Sequence, residues 1–179
     1  MIKALCSLFD SIENFYGIIF CKTKIEAKVV SEELTEWGIS CSALHGDMAQ
    51  DQRTHTMNRF KRKEINLLVC TDVAARGIDV NDLTHVINYG LPQDFESYVH
   101  RIGRTGRAGQ KGTAYTFVTP DEKYRLSRLE KFIKLPIERK RLPKVNTIKQ
   151  SLLKRELVKI YDYEELEKSK DQDLYNIFR

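Results

Sequence analysis

The sequence contains no apolar run approaching the roughly 20 residues that a membrane-crossing helix requires. No basic-then-apolar leader with a small-residue cleavage site opens it, so the expected compartment is the cytoplasm. It has no C-x-x-C pair, and no histidine stands at zinc-ligand spacing from Cys6, Cys21, Cys41 or Cys70. These four therefore read as reduced core thiols rather than metal ligands, with Cys21 and Cys70 closing apolar runs. No G-x-x-x-x-G-K-[ST] segment occurs, so no loop of the kind that cradles nucleotide phosphates is present. Internal repeats and low-complexity tracts are absent as well.

What is present fits one globular domain with a tail. The 179 residues are 41% hydrophobic and 31% charged, enough to bury a core and dress a surface. The net charge of +5 is unevenly spread. Residues 123–155 hold 12 basic and two acidic residues, whereas residues 156–179 hold four basic and seven acidic. A positive segment suits a polyanion, nucleic acid first, but a solvated basic surface explains it equally well.

Helical and strand patterns alternate. Helical spacing covers residues 2–12, 24–36, 50–62, 95–102 and 122–133. In the second of these Ala27, Val30 and Leu34 share a face, and Gly38 ends it. Short apolar runs at 16–21, 40–44, 66–70, 84–88 and 112–118 read as strands. Continuous apolar strands separated by helices predict an α/β fold, a parallel sheet covered on both faces. Such sheets carry their functional loops at the carboxyl ends of the strands. A basic, proline-containing stretch at 135–143 marks a boundary. A first domain over 1–142 is expected, followed by a charged helical extension over 143–179, with helices at 147–160 and 163–178.

Three segments carry candidate chemistry. In HRIGRTGRAG, residues 100–109, arginines recur as Arg101, Arg104 and Arg107 between glycines. Residues three apart on a helical turn are neighbours on one face, glycine admits close approach, and guanidinium forks match phosphate oxygens. In TDVAARGID, residues 71–79, Thr71 and Asp72 suit the cap of a short helical turn. Thr71, backbone N–H groups and Gly77 equally suit a phosphate backbone, with Asp79 suited to a ribose. In HGDMAQDQR, Gly46 permits backbone approach. Gln50 and Arg53 then share a face at a helix N-terminus, where N–H groups point outward toward an anion.

The order FCKTK, HGD with QDQR, TDVAARGID and HRIGRTGRAG resembles motifs IV, the Q-x-x-R element, V and VI of the DEAD-box RNA helicases, in a form resembling the bacterial members. The resemblance covers roughly residues 1 to 135. It implies a RecA-like domain that closes on a preceding RecA-like domain holding ATP and Mg²⁺. It further implies that Arg104 and Arg107 are arginine fingers toward the ATP γ-phosphate and that Asp79 contacts the ribose. His100 and Arg101 would couple that site to RNA, with Phe20 supporting the arginines. Lys22, Thr23, Gly46, Gln50, Arg53, Thr71, Arg76 and Gly77 would meet the RNA backbone. Many family members carry Asn where this chain has Lys22. No metal ligand is expected in this chain.

The absence of both the phosphate loop and a D-E-A-D segment leads to the expectation of a fragment: half of an RNA-dependent ATPase and inactive alone. Its expected partners are RNA, contacted without sequence preference, and the first RecA-like domain of the same parent. A homodimer through 143–179 is a further expectation. A DNA helicase of the same superfamily and a non-enzymatic RNA-docking or dimerisation module remain alternatives.

Overall fold

A computed structural model of the chain describes residues 1–12, 14–75, 83–106 and 111–140. The expected helices at 147–160 and 163–178, and the boundary at 142, lie outside the described residues. The order is α1 (Ile2–Asp10), β1 (Gly17–Phe20), α2 (Lys24–Glu36), β2 (Cys41–Leu44), α3 (Gln50–Lys61), β3 (Leu67–Cys70), α4 (Asp72–Ala75), β4 (His85–Asn88), α5 (Phe95–Ile102), β5 (Thr113–Thr116), a 3₁₀ turn (Pro120–Glu122) and α6 (Lys123–Ile133). The five strands form one sheet in the order β2-β3-β1-β4-β5, and every pair is parallel. All strands therefore end on the same edge.

The apolar runs of β1, β3 and β4 are buried on both faces, because successive side chains of a strand point to opposite sides, whereas the edge strands β2 and β5 are largely half-buried or exposed. Ile18 and Phe20 of β1, with Leu68 and Cys70 of β3, pack with Phe60 of α3 and Ala74 and Ala75 of α4. The alternate residues Ile19 and Cys21, with Leu67 and Val69, pack with Leu5, Cys6 and Phe9 of α1 and Ala27, Val30 and Leu34 of α2. Each fully buried aliphatic side chain here contributes about 1.5–3 kcal/mol. A third cluster of Leu91, Tyr98, Leu126 and Leu129 joins α5 to α6.

Local signals set the element ends. The Thr23 hydroxyl accepts the Glu26 N–H at 3.1 Å and opens α2. The Asp94 carboxylate accepts the Ser97 N–H at 2.6 Å and opens α5. Gly38, at φ +79°, ends α2. Each strand is shorter than its apolar run, yet Cys21 still donates to the Cys70 carbonyl at 2.8 Å beyond the end of β1. Gly17 faces His85 in the β1–β4 register, and a Cβ there would run into the His85 carbonyl. Only glycine allows these two strands to close at that point.

Candidate functional site

At the carboxyl edge of the sheet, one buried side chain gathers four elements. Arg101, near the end of α5, is 3% exposed. Its Nε and Nη2 donate to the two Asp72 carboxylate oxygens at 2.6 and 2.7 Å. Its Nη1 donates to Asn88 Oδ1 at 3.0 Å, and Asn88 Nδ2 donates to the Thr116 hydroxyl at 3.1 Å. The guanidinium carbon lies 5.1 Å from the centre of the Phe20 ring. A planar fork that pairs both oxygens of a carboxylate while its face rests on an aromatic ring is an arrangement only arginine makes. The ends of β1, β4 and β5 and the start of α4 are thus tied through one cation.

This geometry corrects two sequence readings. Arg101 and Arg104 do not share one helical face, because α5 stops at Ile102 with Gly103 as its C-cap. Arg101 turns inward, while Arg104 follows in a half-buried turn outside the helix. Asp72, read as a helix cap, spends its carboxylate on Arg101, and it is the Thr71 carbonyl that accepts the Ala75 N–H, at 2.9 Å.

A second tie joins the same two segments. Thr105 and Leu83 form a parallel bridge, and the Thr105 hydroxyl donates to the Leu83 carbonyl. A Cβ at Gly112 would strike Thr105 and Gly106, so the turn is wedged between neighbours. Arg101 is thus anchored to Asp72 at the start of α4, and Thr105 to Leu83 just ahead of β4. The predicted site residues Arg76, Gly77, Asp79 and Arg107 lie outside the described residues.

The remaining predicted residues line the same edge. Phe20 is buried beneath Arg101, Thr23 caps α2, and His100 is exposed on α5. Gly46 is exposed with open space where a Cβ would stand, and the adjacent Asp47 pairs with Lys24 at 2.7 Å. The Lys24 ammonium holds the Asp47 carboxyl below the usual range. Gln50 is exposed at the start of α3. The Arg53 guanidinium donates to the Ala74 carbonyl at 2.5 Å, which fixes α3 against α4 and the Thr71 segment. Lys22 pairs with Glu122 at 3.1 Å.

Asn88, Thr116 and Glu122 were missed from the sequence, and Asp72 was given another role. The available signal was a polar residue closing a continuous apolar strand, as Asn88 closes THVIN; it is 0% exposed. Burial pushes the Cys70 thiol up to about 12, with the Asp72 charge adding to it. Burial pushes the Cys6 thiol to about 11 and drives the Cys21 thiol strongly upward as well. These three are core thiols, not nucleophiles. Among the described residues, no group of three or more His, Cys, Asp or Glu side chains is placed to hold a metal ion.

Residues 1–109 match the model of the helicase conserved C-terminal domain. The chain is 46% identical over 158 residues to the ATP-dependent RNA helicase DbpA of Bacillus subtilis, covering 88% of this chain and 33% of that protein. Among solved structures it is similar to a DEAD box protein from Methanococcus jannaschii, with a TM-score of 0.72 and 48% identity over 78% of this chain and 38% of that one. It is also similar to the C-terminal domain of the DEAD-box protein Dbp5, with a TM-score of 0.72 and 34% identity over 86% of this chain and 89% of that one. The chain spans about a third of the length of the curated relatives it matches.

Proposed function

The chain belongs to the helicase conserved C-terminal domain family and, within it, to the C-terminal RecA-like domains of DEAD-box RNA helicases; from that premise we propose that it serves as the second half of an RNA-dependent ATPase. Its role is to hold the RNA backbone and to bring Arg104 and Arg107 to ATP bound on a preceding RecA-like domain. Asp79 meets the ribose of that nucleotide. The RNA backbone is met by Gly46, Gln50, Arg53, Thr71, Arg76, Gly77 and backbone groups near Lys22 and Thr23. Mg²⁺, held by acidic residues of the first domain, supplies charge neutralisation at the phosphates.

The observation that carries this reading is the anchoring of Arg101. One buried guanidinium binds Asp72, next to the RNA-facing Thr71, and sits three residues before Arg104. The Thr105–Leu83 tie adds a second fixed point. The RNA-facing and ATP-facing segments then move as one piece, so RNA that seats the first also seats the second. In phosphoryl transfer the protein contributes mainly position and charge, and a seated arginine finger raises the rate by about 10³ to 10⁵. Contacts to phosphate and ribose predict binding that tolerates sequence and weakens with salt.

ATP hydrolysis measured with and without RNA tests the reading. The chain alone should be inactive, and the chain linked to the nucleotide-binding domain of its parent should be active only with RNA. Arg104→Ala and Arg107→Ala in the linked form should each lose about 10³-fold in kcat. RNA-dependent hydrolysis by the chain alone, or full activity in both variants, would refute it.

A further inference from the structure

Glu122 closes the 3₁₀ turn after β5 and is 8% exposed. Its Oε2 accepts from the Thr119 N–H and the Thr119 hydroxyl, both at 3.2 Å. Its Oε1 accepts from Lys22 Nζ at 3.1 Å. Lys22 lies in the loop after β1, two strands away, because β4 sits between β1 and β5. To reach Glu122 the lysine stem crosses Gly90 in the loop after β4. Gly90 has φ +121°, and a Cβ on it would stand 3.0 Å from Lys22 Cε. The Lys22 N–H donates to Glu26 Oε2 at 2.7 Å, which fastens the backbone of the same residue to α2.

We propose that Lys22 and Glu122 form a brace that positions the RNA-facing loop after β1, and that the Lys22 ammonium makes no phosphate contact of its own. The inference rests on the RNA-binding reading above and deepens it. A carboxylate nine-tenths buried needs a counter-charge, and Lys22 is the cation paired with it. Swinging Lys22 out to a phosphate would leave that buried carboxylate to the Thr119 N–H and hydroxyl alone, without a counter-charge. Burial alone would raise the Glu122 carboxyl; the Thr119 N–H and the Lys22 ammonium bring it below its ordinary value instead. Gly90 is part of the same device: its bare Cα is the channel for the lysine stem. Lys22 thus meets RNA through the 22–23 backbone, its ammonium being paired with Glu122.

The test uses the whole 179-residue chain, a labelled single-stranded oligouridine followed by fluorescence anisotropy over a range of salt, and amide hydrogen exchange. Both K22N and E122Q should speed exchange at residues 21–23 and 89–91. Each should weaken RNA binding by on the order of fivefold through lost preorganisation, leave the slope of log K against log salt unchanged, and combine without adding. The swapped pair K22E/E122K should restore slow exchange and affinity. Tighter binding by E122Q, with a slope about 0.7 shallower in K22N, would overturn the proposal: Lys22 would then be a phosphate ligand held back by Glu122. If the unaltered chain binds no RNA, the RNA reading fails and exchange alone decides. Unchanged exchange in E122Q overturns the brace.

Discussion

Arg101 shows what one residue does here. Its guanidinium meets a carboxylate, an amide oxygen and a ring face while 3% exposed. Arg101→Lys keeps the charge but cannot reproduce the fork, and Arg101→Ala takes the guanidinium donors away from the Asp72 carboxylate and from Oδ1 of the fully buried Asn88. Breaking a buried pair costs about 3–5 kcal/mol; because Asp72 is 41% exposed, the alanine variant should lose about 3 kcal/mol in urea denaturation, and the lysine variant less. The thiols give a second residue-level check. With Cys6, Cys21 and Cys70 buried and Cys41 partly exposed, a thiol reagent on the native chain should label Cys41 alone, and the other three only on unfolding. Early labelling of Cys70 would mean that the carboxyl end of β3 opens. The spacing of Arg101, Arg104 and Arg107 was visible in the sequence, but the direction of Arg101 was not. Its partners Asp72 and Asn88 are 29 and 13 residues away, and side-chain direction depends on where the start of α4 and the end of β4 come together in space.

Elements were more legible than side chains. The spans of α2 and α5 followed from helical periodicity, with Gly38 ending the first; the caps Thr23 and Asp94 that open them are seen only in the structure. Strand existence and parallel pairing followed from the apolar runs and the helices between them, whereas strand order did not: it is set by how the crossovers pack and leaves no local mark. Two predictions belong at this level. Asp94→Ala removes the cap of the helix that carries His100 and Arg101 and should cost about 1 kcal/mol near neutral pH. The Ser97 N–H and hydroxyl hold the Asp94 carboxyl below its ordinary value. Its contribution is therefore fully present above the ordinary carboxylate range and is lost as pH falls through the lowered value. The difference between Asp94→Ala and the unaltered chain should shrink accordingly in acid; a constant difference would show that the charged cap is not its source. Gly17→Ala forces a Cβ onto the His85 carbonyl and should destabilise by about 1–3 kcal/mol, with the loss read in thermal unfolding.

At the scale of the whole molecule, five parallel strands bring the chain just after β1, β3 and β5 to one edge, where Phe20 and Asp72 meet Arg101 and Glu122 meets Lys22. Two ties, Arg101 to Asp72 and Thr105 to Leu83, make the proposed RNA-facing and ATP-facing segments one body. Coupling between two ligands is reciprocal in free energy, so on the proposed function nucleotide and RNA should strengthen each other by the same factor once the domain is joined to its partner. The most direct test is the affinity of single-stranded RNA for the linked two-domain form, measured with and without a non-hydrolysable ATP analogue. A tightening of about 5- to 150-fold is expected, reduced by Asp72→Asn and absent for the chain alone. Equal RNA affinity with and without the analogue would contradict it.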